Sequence, residues 1–129
     1  MADYTHLNLK EVEDQAPKFG MDGLEFRMGR VPLELENSGL SYLRLEPNFR
    51  LPFGHHHKNQ EEIYVLISGS ARLKVGDEIL DLKPFDAVRV AKDTMRCYEG
   101  GPDGAELIAI GAPNTGPGDG PMTDGWWTD

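Results

Sequence analysis

The chain of 129 residues has a single cysteine, Cys97, and no long apolar run. One cysteine rules out an internal disulfide and fits a reducing compartment. No window approaches the roughly 18 to 20 consecutive apolar residues that a membrane-spanning helix needs. The N-terminus lacks the basic region and following apolar segment of a secretory signal. We therefore expect a cytoplasmic protein with no membrane partner.

Basic residues are scarce relative to acidic ones. Lys and Arg number 13 against 22 Asp and Glu, for a formal net charge of -9. Nucleic-acid binding needs clustered Lys and Arg, so we expect no nucleic-acid partner. The same charge opposes docking on anionic membranes. An anionic small ligand remains compatible, because one buried Arg can outweigh a remote negative surface.

The chain also lacks any stretch with the period of a ten-residue amphipathic helix. It contains short segments of alternating or β-branched apolar residues separated by turn residues, which predict strands. The predicted strands are 24–28, 40–45, 62–67, 71–75, 78–82, 87–90, 95–98 and 105–110, and residues 31–36 alternate in the same way. Gly76-Asp77 between two of these predicts a hairpin. The pattern is typical of one all-β domain, either a sandwich, a jelly roll or a barrel.

Both ends of the chain differ from this β domain, which we place at residues 24–111. Residues 1–23 are polar with scattered apolar positions and predict an N-terminal arm with a short turn or strand. Residues 112–129 form a tail rich in Gly and Pro, and most such tails are disordered. This one ends with Trp126 and Trp127, which are costly to leave in water. We expect the tail to dock on its own domain or on a partner subunit.

The most informative segment is Gly54-His55-His56-His57, followed by Glu62. His55 and His57 would share one face of a strand, because successive side chains alternate sides. Glu62 begins the next predicted strand and can return to the same point if the intervening residues turn. Two imidazoles and one carboxylate are a ligand set for Fe, Mn, Zn or Ni. The alternative is a solvated surface turn, and a one-residue shift in register would bring in His56 and Glu61 instead.

This segment resembles the first motif of the cupins, G-x5-H-x-H-x(3,4)-E-x6-G. His55, His57, Glu62 and Gly69 match its two histidines, its acid and its trailing glycine, whereas Gly54 adjoins the first histidine instead of preceding it by five residues. Pro84-Phe85-Asp86 takes the turn position of the second motif. The resemblance covers about residues 40–111. It implies an all-β cupin double-stranded β-helix, or jelly-roll barrel, and a homodimer.

The chain departs from the family at Arg96, which falls where the second-motif histidine belongs. An Arg stays protonated and cannot ligate a metal. In one interpretation, His55, His57 and Glu62 hold a divalent metal and Arg96 binds an anionic small-molecule substrate beside it. In the other, no metal binds and Arg96 pairs with Glu62 inside the barrel.

Each interpretation predicts a different function for the barrel interior. The first predicts a metal-dependent oxygenase, isomerase or lyase; the second predicts a metal-free module that binds or senses a small ligand. A vestigial, purely structural barrel is a third possibility. Tyr98 shares a face with Arg96, and Tyr64 shares one with Glu62, so both are candidate substrate-binding residues. No motif indicates an organic cofactor.

Overall fold

A computed structural model of the chain describes residues 2–116 and 118–129. Within them, the chain forms eight strands and two short 3-10 helices, and no helix is long and apolar enough to cross a membrane. The 3-10 helices are Leu9–Glu11 and Ala16–Phe19. The strands are β1 (Leu24–Met28), β2 (Gly39–Leu45), β3 (Phe53–His55), β4 (Glu61–Val75), β5 (Glu78–Leu82), β6 (Ala87–Val90), β7 (Arg96–Ala112) and β8 (Met122–Asp124). The all-β prediction is confirmed.

The strands form one antiparallel sheet that curls on itself. Its main path runs β1-β2-β7-β3-β8, and β4 pairs with β5, β6 and β7. The two long strands, β4 and β7, pair along almost their whole length and carry shorter strands on their other edges. An antiparallel sheet that bends around two long strands encloses a core on its concave face. Its centre is apolar, with Leu66, Leu73 and Leu107 fully buried.

Each long strand replaces two strands that the sequence predicts as separate. The expected break at Ser68-Gly69 is a β-bulge, because the register of β4 against β7 shifts between Leu66 and Ser68 and again between Gly69 and Ala71. A Cβ on Gly69 would lie 2.1 Å from the carbonyl oxygen of Gly104, and its φ is 80°. Only glycine fits this close approach, so the motif's trailing glycine lets the strand bend without ending.

Residues 31–36 form a turn, although their alternating pattern is that of a strand. The amides of Leu33 and Leu35 donate to the carbonyls of Gly29 and Arg30, and Glu34 has a φ of 59°. Pro32 lacks an amide hydrogen and so cannot support a sheet ladder, and the local turn satisfies the neighbouring amides.

The N-terminal arm packs on the first strand. The carboxylate of Asp14 accepts hydrogen bonds from the amides of Ala16 and Phe26, and the amide of Gln15 donates to the carbonyl of Phe26. These bonds tie Ala16–Phe19 to β1. Ala16 is completely buried, so the arm closes one end of the core.

The C-terminal tail adds β8, which pairs with β3 from Phe53 to His55. Trp127 is 5% exposed, and the guanidinium groups of Arg50 and Arg72 lie 4.2 and 5.1 Å from its ring centroid. Glu99 holds both arginines, at 2.7 Å each. Cation–π contacts and burial therefore anchor the tail on the chain's own barrel.

Candidate metal centre and adjoining cavity

Three strands and one turn bring the two histidines and the glutamate together. His55 is the last residue of β3 and pairs with Arg96 of β7. Glu62 lies in β4, opposite Val90 of β6. The turn of residues 56–60 returns the chain between them, and the amide of His57 donates to the carbonyl of Lys92 at 2.6 Å. The centre thus lies where β3, β4 and β7 meet at one end of the barrel.

The donor atoms of His55, His57 and Glu62 form a compact triangle. Glu62 Oε1 lies 3.5 Å from His55 Nε2 and 3.6 Å from His57 Nε2, and the three ligand atoms all lie within 4.8 Å of one another. The two rings stand edge to face, with centroids 5.1 Å apart. The chain therefore presents two nitrogens and one oxygen to a common point.

This triangle fits a small divalent metal. With bonds of about 2.1 Å, two ligand atoms lie about 3.0 Å apart at a right angle and about 3.4 Å apart at a tetrahedral angle. The separations of Glu62 Oε1 from the two histidine nitrogens, 3.5 and 3.6 Å, are just above the tetrahedral value. His57 Nε2 is buried and has no hydrogen-bond partner in the described part of the chain. A buried lone pair that faces a carboxylate is unfavourable, so either a proton on this nitrogen or a metal ion must lie between the two.

Tyr64 supports the glutamate from the same face of β4. Its hydroxyl donates a hydrogen bond to Glu62 Oε1, and the residue is 1% exposed. Burial, together with the charge of Glu62, raises the pKa of Tyr64 well above its usual value. Tyr64 therefore stays a protonated donor that orients the carboxylate.

Asp119 is a second carboxylate at the centre, and sequence reasoning missed it. Its Oδ2 lies 2.9 Å from His57 Nδ1, and its Oδ1 accepts from the amide of Asn59 at 2.9 Å. The residue is 6% exposed. It lies in the tail, 62 residues beyond His57, in a Gly-rich segment with no local pattern that predicts a ligand. A contact of this kind fixes the tautomer and ring orientation of a metal-binding histidine.

Arg96 lies behind the centre and is completely buried. Its Nη2 donates to the carbonyl of Ala91 at 3.1 Å, and its Nη1 lies 3.5 Å from the carbonyl oxygen of His55. Its Nε has no hydrogen-bond partner and lies 4.0 Å from Glu62 Oε1. Arg96 therefore holds the main chain on either side of the centre and brings one positive charge towards Glu62.

The charges are balanced so that Glu62 is ionised. Burial raises the pKa of Glu62, but His55, His57 and Tyr64 outweigh it and hold that pKa far below its usual range. Burial lowers the pKa of His57, but Glu62 and Asp119 outweigh that effect and raise it. In Asp119, hydrogen bonds from His57 and Asn59 outweigh burial and lower the pKa. Both carboxylates are therefore ionised, which is the form in which Glu62 can ligate a metal.

A cavity of about 470 Å³ adjoins the two histidines. Its walls are mainly apolar and come from β1, β3 and the segments beside them. They include Met21, Leu24, Phe26, Leu51 and Phe53. Tyr98, 7% exposed, also lines the cavity, whereas Tyr64 and Arg96 do not line it. The volume lies in the range of about 300 to 1000 Å³ that small-molecule sites occupy.

His56 and Glu61, which a shifted register would have brought in, do not belong to the metal-binding group in the described part of the chain. The amide of His56 donates to the carbonyl of Pro121, and Glu61 is exposed. Cys97 is completely buried, and burial raises its pKa to about 12. Its thiol lies 3.3 Å from the carbonyl oxygen of Leu51, so it is a packing residue and not a nucleophile.

No family model and no curated protein sequence matches the chain significantly. Solved structures do match it. A cupin protein from Bacteroides fragilis is 22% identical with a TM-score of 0.72, over 89% of this chain and 88% of its own. Oxalate decarboxylase from Bacillus subtilis is 20% identical with a TM-score of 0.76, over 95% of this chain but only 33% of its own.

A third similar structure is Pac13, described as a unique nucleoside dehydratase. It is 18% identical with a TM-score of 0.70, and the match covers 96% of this chain and 92% of Pac13. At sequence identities this low, structural similarity establishes the fold but not the activity. Together with the curled antiparallel sheet and the His55-His57-Glu62 group, these likenesses confirm the resemblance that the first motif indicates: the chain has the cupin fold, a single jelly-roll barrel.

Proposed function

We propose that this protein binds one divalent metal ion through His55, His57 and Glu62 and acts on a small organic molecule in the adjoining cavity. The observation that carries the proposal is the triangle of donor atoms. In it, the buried Nε2 of His57 has no hydrogen-bond partner among the described residues and lies 3.6 Å from Glu62 Oε1. The cavity touches the two histidines, so a ligand there would lie next to the metal position.

The reaction classes that suit this arrangement are those of a metal-dependent oxygenase, isomerase or lyase. A metal bound here would supply Lewis-acid polarisation of a substrate oxygen, or one-electron chemistry if it is iron. Three protein ligands leave further coordination positions open. Tyr64 keeps Glu62 in place, Asp119 keeps His57 in place, and the apolar walls exclude water from the ligand.

The comparisons are compatible with small-molecule chemistry in a barrel of this kind. Variants of Streptomyces Pac13 were solved with uridine, and oxalate decarboxylase is named for its reaction. Neither substrate is transferred to this chain, because both structures are 20% identical to it or less. They support only the statement that an enzyme site can occupy such a barrel.

The test is metal content per chain. Untagged protein, purified without chelators or metal-affinity resin, should contain Fe, Mn, Zn or Ni at near one ion per chain, or take it up to that level on addition. His57→Ala and Glu62→Ala should lose it. His56→Ala is the matched control, because it alters the same His triplet without touching the donor triangle, and it should keep the metal. Unchanged metal content in the first two variants would contradict the proposal.

The second candidate is a metal-free module that binds or senses a small ligand. It is favoured by Arg96 Nε, which is buried without a partner and lies 4.0 Å from Glu62 Oε1. A guanidinium there could supply the positive charge that Glu62 needs. Failure of the wild-type protein to take up any of the four metals would make this candidate primary.

Two further expectations from the sequence remain proposals. One is a homodimer, to be tested by sedimentation at several concentrations, and the other is a cytoplasmic location. The expected clamping of an anionic ligand by Arg96 also remains a prediction. In the structure both Nη groups face main-chain carbonyls, and the side chain is completely buried.

A further inference from the structure

The charge and polarity of the side chains that line the cavity restrict which ligands it can bind. The cavity has no Lys or Arg in its lining among the described residues. Its ionisable groups are His55, His57 and Tyr98 at the inner end and Asp124 at the rim. Most of the remaining surface is aliphatic or aromatic.

Such a wall discriminates strongly against an anion. A carboxylate moved from water into an apolar pocket loses its hydration, which is strongly unfavourable unless a cation or hydrogen-bond donors replace the lost water. Arg96 cannot replace it directly, because it is 0% exposed and does not line the cavity. The carboxylate of Asp124 at the rim repels an anion, as does the net charge of -9.

The mouth of the cavity is apolar as well. Phe19 of the second 3-10 helix is 62% exposed and Met122 of β8 is 65% exposed, and both line the cavity. Large apolar side chains left in water next to a pocket are typical of ligand-binding entrances. These two come from opposite ends of the chain, so the N-terminal arm and the C-terminal tail frame the entrance together.

From these observations we propose that the ligand is an uncharged molecule with a mainly apolar body, aromatic or branched, and a single carbonyl or hydroxyl oxygen. The body packs against Phe26, Leu51 and Phe53. The oxygen points to the inner end, where the imidazoles and the metal position lie. This assignment deepens the proposed function and rests on it only for the direction of the oxygen; the apolar wall exists with or without a metal.

The experiment compares three probes by ligand-detected NMR titration against metal-free and zinc-loaded protein. Acetophenone is the neutral apolar ketone, benzoate is an anion of the same size, and uridine is a neutral but polar molecule. Acetophenone should bind metal-free protein at least about tenfold more tightly than benzoate or uridine, because each of the others must desolvate polar groups against an apolar wall. Zinc should tighten acetophenone binding further.

A pair of charge variants locates the site. Met122→Lys places a cation at the mouth on an exposed position, so it should fold. It should raise benzoate affinity several-fold and so shift the ratio of benzoate to acetophenone affinity towards benzoate. Val31→Lys adds the same charge at a position that is 74% exposed and does not line the cavity. It should change neither affinity.

Three outcomes would overturn the assignment: benzoate binding to metal-free protein as tightly as acetophenone or more so, uridine binding to metal-free protein more tightly than acetophenone, or no binding of acetophenone to either form. These outcomes are separable from the metal question. If acetophenone binds while no metal is taken up, the proposed function fails and the ligand class stands. If metal binds while acetophenone does not, the ligand class fails and the metal centre stands.

Discussion

His57 Nδ1 lies 2.9 Å from Asp119 Oδ2, and this contact joins the C-terminal tail to the candidate metal centre. An ionised carboxylate only accepts hydrogen bonds, so Nδ1 carries a proton, and Nε2 is the nitrogen that can ligate a metal once it has lost its own proton. Asp119 also accepts from the main chain and side chain of Asn59. The buried carboxylate of Asp119 therefore fixes where the His57 ring carries its proton, and it also holds the turn on which His57 lies.

Asp119→Asn should weaken metal binding by about 10- to 100-fold, the usual loss when the partner of a metal-binding histidine is removed. The measurement is a competition titration with a chromogenic chelator. Nitrogen NMR of metal-free protein is a second measurement. If Asp119 positions His57, the Asp119→Asn variant should no longer hold the proton of His57 on Nδ1 alone; if Asp119 has only a structural role, that proton should stay on Nδ1. Asp103→Asn, at an exposed position of β7, is the control; equal affinities in the two variants would show that Asp119 has no positioning role.

Arg96→Gln should lower the free energy of unfolding by about 3 kcal/mol, because it removes the buried guanidinium that lies 4.0 Å from Glu62 Oε1 and leaves this carboxylate without that compensating charge. It also removes a donor to the carbonyl of Ala91. Chemical denaturation of metal-free protein measures the change. Arg89→Gln, at an exposed position of β6, should be nearly neutral. If Arg96→Gln is equally neutral, the guanidinium does not stabilise the barrel.

Trp127→Ala should destabilise the fold by about 3 to 5 kcal/mol, the range for deleting a large buried aromatic side chain. The loss includes its contacts with Arg50 and Arg72. Thermal denaturation measures it. Tyr4→Ala removes an aromatic side chain that is 78% exposed and should leave the midpoint unchanged. A midpoint for Trp127→Ala within error of wild type would mean that the tail does not dock in solution.

Glu106 should make stability depend on pH at a place remote from the metal centre. Hydrogen bonds from Tyr42 and Ser68 lower its pKa to about 2. A carboxyl whose pKa is lower in the folded than in the unfolded state stabilises the protein above its unfolded pKa, near 4.3, and that contribution is lost as the pH falls towards 2.

The melting temperature of Glu106→Gln should therefore lie below that of the wild type at pH 7, and the gap should narrow between about pH 4.5 and the acid limit of the fold. Thermal melts across this range measure the gap. Glu78→Gln, at an exposed end of β5, should show a small gap that does not change with pH. A gap for Glu106→Gln that is constant or widens in acid would contradict the assignment.

The strands could be predicted where a local pattern and the tertiary fold agree. Residues 24–28, 78–82 and 87–90 alternate, and each is one strand of the sheet. The prediction is wrong at positions where a glycine or a proline is compatible with more than one local structure. The sequence pattern predicts that the strand ends at Gly69, but Gly69 lies at a β-bulge inside β4. Glycine is needed there because the nearby carbonyl of Gly104 leaves no room for a Cβ.

By itself, the sequence determined the all-β class, the common orientation of His55 and His57, and the return of Glu62 to these two histidines. Strand alternation and one short turn are enough for this, because both act over a few residues. Only the tertiary structure decided the rest. Asp119 reaches His57 across 62 residues, and the cavity walls come from segments at both ends of the chain. Such contacts depend on how the sheet curls, and no local periodicity carries that information.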